Sequence, residues 1–165
     1  MIIKDFEDKD AKIILSWISS EREFKMWSAD RYGDYPIEPK EMVDYYDECK
    51  AHQAFYPLTF FEDDMMVGHM ILRYPKEDNP HLMRLGFIIV NNSLRRMGYG
   101  KKIISAAVKY ATTNFDVDTI DLGVFTCNVG AYKLYQSMGF KVTNIMEKIF
   151  CFHGEKWDMA EMTLF

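Results

Sequence analysis

Cysteine is scarce in this sequence, and the spacing of the few present argues against two common uses of the residue. The 165 residues include three cysteines, Cys49, Cys127 and Cys151, with no C-x-x-C pair and no clustering with histidine. Such a pattern supports neither a disulfide framework nor a zinc site. We therefore expect unpaired thiols in a reducing compartment and no bound metal.

Long hydrophobic runs and an excess of positive charge are also missing. No stretch approaches the roughly 20 apolar residues of a membrane span, and acids interrupt "MIIKDFEDKD", where a signal peptide would be apolar. Lys and Arg number 20 against 25 Asp and Glu, and the net charge of −5 disfavours nucleic-acid binding. We expect a cytoplasmic protein that binds neither membranes nor nucleic acids.

The patterns that are present predict an α+β fold around a mixed sheet, in a single domain over residues 1–165. Hydrophobic residues make up 48% of the chain, enough for a sizeable core. Helical spacing dominates before about residue 50, and alternation typical of strands follows it. Strands are predicted at 2–6, on both sides of a turn at 62–64, at 81–90, at 119–125 and in a closing hairpin that turns at 153–155. Helices are predicted from Asp8 as N-cap, at 21–27, at 39–50, after the glycines near residue 98, and from Asn128 to Gly139.

The stretch "LRRMGYGKKII", residues 94–104, places two glycines at the start of an amphipathic helix. A glycine inside a helix costs roughly 0.5–1 kcal/mol relative to alanine, so this position indicates a need for bare backbone. A helix N-terminus carries unpaired N–H groups and about half a positive charge, which together favour a phosphate. On this stretch alone, a plain strand-to-helix turn with solvated basic residues is an equal alternative.

Two familiar phosphate-binding loops fail on residue identity. A Walker loop, G-x-x-x-x-G-K-[ST], would need glycine where Arg95 stands and serine or threonine where Lys102 stands. A dinucleotide fingerprint beginning at Gly98 would place Ile103 at its third glycine. The sequence therefore disfavours both classes of nucleotide-binding protein.

A third pattern fits. Arg95-x-x-Gly98-x-Gly100, after an apolar strand and at the start of a helix, resembles the pyrophosphate loop of the GNAT superfamily of acetyl-CoA-dependent N-acetyltransferases. One helix and one strand later, "NVGAYKLYQSMGF" matches the family's N-x-x-A-x-x-x-Y-x-x-x-G-F stretch in Asn128, Ala131, Tyr135, Gly139 and Phe140. The resemblance implies a mostly antiparallel seven-stranded sheet, splayed between strands 4 and 5 and flanked by helices on both faces.

The resemblance also implies acetyl-CoA as the acyl donor and assigns residues to it. The backbone of the splayed strand would pair with the pantetheine arm through Phe87, Ile88, Ile89 and Val90. The pyrophosphate would lie on the amides of Arg95, Arg96, Met97, Gly98, Tyr99 and Gly100. Asn128 would contact the cofactor near its thiol, although a role as helix N-cap is equally open.

Tyr135 is the catalytic candidate, because a tyrosine hydroxyl, with a pKa near 10, can protonate a departing thiolate whose conjugate acid lies near 8.5. The alternative is an ordinary core tyrosine on the apolar face of its helix. The attacking amine must be neutral, and an alkyl amine at pH 7 is not, so a base or a water chain is expected. Many family members supply a glutamate on the strand before the loop, but here "HLMRLGFIIV" carries Arg84 and Gly86.

The acceptor site in this family lies between the first helices and the last hairpin. Trp27, Tyr32 and Tyr35 are candidates there, since aromatic rings near acids can receive a cationic amine, and His69 is a candidate base. The alternatives are aromatics that pin a loop and an inert histidine. We expect a small-molecule or peptide amine as acceptor and a monomer or homodimer. A catalytically weakened acyl-CoA-binding sensor or scaffold is the alternative function.

Overall fold

The computed structural model describes residues 1–76 and 78–165. Along these residues the chain forms seven strands, five α-helices and a 3₁₀ turn at Asn92–Leu94. No helix among the described residues is long and apolar enough to cross a membrane. The strands are β1 (Ile2–Asp5), β2 (Phe55–Glu62), β3 (Met65–Arg73), β4 (Leu82–Val90), β5 (Thr119–Phe125), β6 (Lys141–Phe152) and β7 (Glu155–Leu164). The helices are α1 (Asp8–Leu15), α2 (Glu21–Ser28), α3 (Pro39–His52), α4 (Tyr99–Asn114) and α5 (Val129–Ser137).

The strands form one sheet in the order β1-β2-β3-β4-β5-β7-β6. Every neighbouring pair is antiparallel except β4 and β5, which run parallel because α4 crosses over between them. Helices cover both faces, since α1, α2 and α3 pack on one hydrophobic cluster and α4 and α5 on another. The predicted α+β class and mixed, mostly antiparallel seven-stranded sheet are thereby confirmed.

The sheet opens between β4 and β5. Their parallel pairing runs from Leu82 opposite Thr119 to Leu85 opposite Leu122 and ends there, although both strands continue. Beyond that point no strand among the described residues pairs with the β4 edge that faces β5. The predicted splay between strands 4 and 5 therefore begins at Gly86.

A bulge marks the same part of β4. Phe87 and Ile88 together stand opposite Met70, because His69 pairs with Ile89 and Ile71 pairs with Gly86. Phe87 has a φ of 48°, in the left-handed region that non-glycine residues seldom occupy. The strand bends at this bulge, as two residues facing one require.

Local signals set most element ends. Ser20 caps α2 by accepting the Glu23 N–H at 3.2 Å, and Pro39 begins α3 where its missing N–H costs nothing. The predicted N-cap of α1, Asp8, is instead its first helical residue, and Glu7 is the N-cap. The reason is a carboxylate at the third helical position, Asp10, which accepts the Glu7 N–H at 2.9 Å.

Candidate functional site

A cleft of about 590 Å³ lies at the splay between β4 and β5. One wall is the unpaired edge of β4, residues 86–90, and the opposite wall is Gly123, Val124 and the start of α5. The N-terminus of α4 with its preceding loop, together with one face of α2, completes the lining. Most of the lining is apolar, which suits a long thioester arm with a few polar groups at its ends.

The α4 end of the cleft has the features of an anion site. Gly98 is the N-cap, with a φ of 84° and no side chain to accept the first-turn N–H groups. A Cβ built at Gly98 would meet nothing within 4 Å, so the amides are open to a ligand. Arg95, Arg96 and Lys101 also line this end and add positive charge. An uncapped helix N-terminus beside three cations is a favourable place for a diphosphate.

Gly100 serves a different purpose from Gly98. A Cβ on Gly100 would lie 2.8 Å from Cδ2 of Leu134, so the first turn of α4 packs directly against α5. The two glycines therefore act separately: Gly98 leaves amides open, and Gly100 lets the two helices that flank the cleft approach each other.

Arg95 is already engaged by protein groups. Its guanidinium forms an ion pair with Glu23 of α2 and donates to the Trp17 carbonyl at 3.2 Å. Oε2 of Glu23 accepts from the N–H and Oγ of Ser19 at 2.9 and 3.0 Å. Burial acts to raise the pKa of Glu23, but the hydrogen bonds from Ser19 and Arg95 outweigh it and lower that pKa. Glu23 is thus an ionised carboxylate in the cleft wall.

Tyr135 and Asn128 both line the cleft from α5. Tyr135 is 6% exposed, and burial raises the pKa of its hydroxyl, which keeps the proton on the phenol across the neutral range. Its ring packs against Phe140 at 6.1 Å between centroids. Asn128 acts as the N-cap of α5, accepting the Ala131 N–H at 3.3 Å.

The structure brings most of the predicted cofactor residues to one cleft and leaves others outside it. Phe87, Ile88, Ile89, Val90, Arg95, Arg96, Gly98, Gly100, Asn128 and Tyr135 line the cleft, as does Trp27 from the predicted acceptor set. Five candidates do not contribute to its lining: Met97, Tyr99, Tyr32, Tyr35 and His69. Met97 is 63% exposed, and the Tyr99 hydroxyl donates to Glu62 at 2.6 Å, so each side chain points elsewhere.

Tyr32, Tyr35 and His69 belong to the core beneath α1–α3. Tyr32 packs on Trp27 with rings 6.0 Å apart and 12° from parallel, and Tyr35 donates to the Ile18 carbonyl at 3.3 Å. His69 is fully buried, with Nε2 2.7 Å from the Tyr46 hydroxyl. Burial lowers the pKa of His69 to about 3. The Leu58 backbone acts to raise this pKa, but it does not form a well-aligned hydrogen bond to Nδ1. These three residues support the cleft wall from behind.

Sequence reasoning named Trp27 of α2 but missed Glu23 and Met26 of the same helix. Glu23, Met26 and Trp27 all line it, and their i, i+3, i+4 spacing puts them on one face of the helix. In the sequence, Glu23 is an acid in the first turn of a short helix, a position typical of a solvated side chain. The helical spacing with Trp27 was the available signal.

Among residues 1–76 and 78–165, no group of three or more His, Cys, Asp or Glu side chains is placed to hold a metal ion.

The chain is similar to known acetyltransferases in sequence and in fold. A model of the acetyltransferase (GNAT) family matches residues 19–140. The spermine/spermidine N(1)-acetyltransferase of Bacillus subtilis (strain 168) is 25% identical over 120 residues, 70% of this chain and 76% of that protein. The uncharacterized N-acetyltransferase YvbK of the same strain is 27% identical over 98 residues, 59% of this chain and 61% of YvbK.

A solved structure extends the likeness over nearly the whole fold. Spermidine N-acetyltransferase from Vibrio cholerae, in complex with CoA and spermine, has a TM-score of 0.82 with this chain at 18% identity. The match covers 99% of this chain and 94% of that one. At that identity the likeness shows a shared fold.

Proposed function

Because the chain belongs to the acetyltransferase (GNAT) family, we propose that it transfers the acetyl group of acetyl-CoA to a primary amine by direct attack. One observation carries the proposal: the splay between β4 and β5 opens directly onto an uncapped, basic helix N-terminus, with a protonated tyrosine in the same cleft. The fold and the geometry thus support the same chemistry.

The residues of the cleft fit acetyl-CoA as acyl-donor substrate. The open amides at Gly98, flanked by Arg96 and Lys101, suit the diphosphate. The unpaired β4 edge from Gly86 onward offers N–H and C=O groups to the amides of the pantetheine arm. The thioester end would then lie near Tyr135, deeper along the same cleft.

The reaction needs proton transfers at both the sulfur and the nitrogen. The amine nitrogen forms a bond to the thioester carbonyl carbon while the carbon–sulfur bond breaks, and the sulfur leaves with the electron pair. Tyr135 supplies the proton that sulfur requires, and its raised pKa means that the proton is present at every working pH. The nitrogen must lose one proton before the attack, because only about one part in a thousand of an alkyl amine is neutral at pH 7. It loses a second proton as the amide forms, and that proton balances the one that Tyr135 gives to sulfur.

The cleft offers few groups that could remove the proton from the attacking ammonium. Glu23 is the one carboxylate among the described residues of its lining, and its lowered pKa and ion pair with Arg95 make it a weak base. Arg84, on the strand where many relatives carry a glutamate, is itself bound to Asp121 at 2.8 and 2.5 Å. Deprotonation through water is therefore the simplest route.

The part of the cleft lined by α2 suits a cationic acceptor. Glu23 carries negative charge, which it shares with Arg95, and Met26 and Trp27 supply apolar and aromatic surface beside it. The spermine and spermidine acetyltransferases among its relatives make polyamines the first acceptors to examine.

Thiol release from acetyl-CoA tests the proposal. The purified chain would be assayed with spermidine, spermine, single amino acids, amine-bearing antibiotics and peptide amines, and products would be identified by mass. We expect amine-dependent thiol release with at least one acceptor and mono-acetylated product. Tight CoA binding with no turnover across the panel would instead favour the acyl-CoA sensor.

A further inference from the structure

The bulge in β4 holds a backbone conformation that its own residue disfavours. Phe87 lies at a φ of 48°, in the left-handed region that a non-glycine residue disfavours. Such a conformation persists only where surrounding contacts hold it. The bulge also lies where the pairing with β5 stops, at the edge that forms the cleft wall. The contacts that hold Phe87 therefore determine the shape of that wall.

The Phe87 side chain is held by an aromatic cage from two helices and a loop. Its ring lies 5.2 Å from Trp27 and 6.0 Å from each of Tyr32, Tyr45 and Tyr46, measured between ring centroids. The Tyr45 ring meets it edge-on at 89°. The cage anchors the bulge to the layer formed by α1–α3.

The Phe87 backbone also receives a directional contact from a side chain. The indole N–H of Trp27 donates to the Phe87 carbonyl oxygen at 2.9 Å. That carbonyl shares a planar trans peptide with the Ile88 N–H, so fixing one group fixes the direction of the other. Ile88 is part of the cleft wall.

We propose that Trp27 is a positioning residue whose indole N–H fixes the Phe87–Ile88 peptide, and with it the β4 amide presented to the thioester. The inference rests on the proposed acetyl transfer for its catalytic consequence. The clamp, which is the hydrogen bond from the Trp27 indole to the Phe87 carbonyl, is itself a property of the fold. In this role Trp27 affects the reaction only through its hydrogen bond to the Phe87 carbonyl. A direct contact between Trp27 and a cationic acceptor would be a different role.

The test replaces the indole by a ring that cannot donate. Trp27→Phe keeps an aromatic ring against Tyr32 and Phe87 and removes the N–H. We expect kcat at saturating acetyl-CoA and amine to fall about tenfold, the order expected when one positioning hydrogen bond is lost. The dissociation constant for CoA should stay within about twofold, because the diphosphate end of the cleft is untouched.

Trp17→Phe is the matched control. Trp17 lies in the same buried cluster at 4% exposure, and only its backbone carbonyl, which the substitution keeps, contacts Arg95. The control should keep wild-type kcat. If Trp27→Phe does not fold, benzothienylalanine at position 27 preserves the shape of indole and replaces the N–H by sulfur.

A second readout separates the clamp from the proposed function. The backbone ¹⁵N–¹H resonance of Ile88 should move in Trp27→Phe and stay in place in Trp17→Phe, whether or not any amine is acetylated. An unmoved Ile88 resonance, or an unchanged kcat in folded Trp27→Phe, overturns the proposal. A loss confined to KM for the amine also overturns it, and makes Trp27 an acceptor contact. Absence of turnover in the wild type would count against the acetyl transfer alone.

Discussion

The anion site at the start of α4 can be tested by adding one negative charge to it. Gly98 has a φ of 84°, and Asp and Asn tolerate this region better than other side chains. Gly98→Asp and Gly98→Asn therefore form a matched pair of nearly equal size and backbone preference. Either side chain can cap α4 and occupy amides that a diphosphate would use, so both should bind CoA more weakly than the wild type.

The difference between the two variants isolates the charge. Two unit charges about 6 Å apart interact by about 2.8 kcal/mol at an effective dielectric of about 20, and by about 0.7 kcal/mol in bulk water. Gly98 is exposed, so the true value lies between these limits. With 1.4 kcal/mol for each factor of ten, Gly98→Asp should bind CoA about 3- to 100-fold more weakly than Gly98→Asn.

Calorimetric titration with CoA measures the ratio. Salt should shrink it, because the Debye length falls from about 10 Å at 0.1 M to about 3 Å at 1 M. Gly33→Asp is the control for net charge, since Gly33 lies outside the cleft and a Cβ there would meet nothing within 4 Å. Equal CoA affinities for the Asp and Asn variants at low salt would show that the diphosphate does not bind at this helix terminus.

Two further predictions concern catalysis and stability. Tyr135→Phe should lower kcat by about 10²- to 10⁴-fold and leave the CoA affinity within about twofold of the wild type. Steady-state kinetics and CoA titration measure the two quantities. Turnover comparable to the wild type would show that Tyr135 is not the acid. Arg84→Met should destabilise the fold by about 3 kcal/mol, because it leaves Asp121, whose side chain is 9% exposed, as a buried unpaired carboxylate. Urea unfolding measures the loss, and Arg22→Met, which breaks a more exposed pair with Glu155, should have a much smaller effect.

The fold could be predicted from local sequence patterns, because the residues that form each pattern lie close together in the chain. The switch from helical to alternating spacing placed the strands, and the glycine stretch at 98–100 together with the Asn128–Phe140 stretch indicated the family. β5 was predicted at 119–125, and the structure places it there. Signals of this kind depend on propensity and periodicity, which a single sequence displays directly.

Features that depend on contacts between residues far apart in the chain could not be predicted from local sequence patterns. Arg84 was recognised as a departure from the family pattern, but its partner Asp121 is 37 positions away and becomes adjacent only through the β4–β5 register. The left-handed conformation of Phe87 has no sequence signal at all, because the residue itself disfavours it and the surrounding rings impose it. Glu23 resembled Glu21 in sequence, and only the orientation of α2 separates the two.

His69 provides a pH test of the buried layer behind the cleft. Its pKa is about 3 in the folded chain, against about 6.5 for an exposed histidine, because burial disfavours the charged ring. The unfolded chain therefore binds a proton between pH 6.5 and pH 3 that the folded chain does not, so stability from this residue is intact above pH 6.5 and falls as the pH drops. At 1.36 kcal/mol for each unit, the loss between pH 7 and pH 5 is about 2 kcal/mol. His69→Gln can still accept from the Tyr46 hydroxyl and cannot titrate, so its free energy of unfolding should fall about 2 kcal/mol less than that of the wild type over the same range. Parallel pH profiles for the two proteins would show that His69 takes up its proton near pH 6.5 in the folded chain as well, and would return it to consideration as a base.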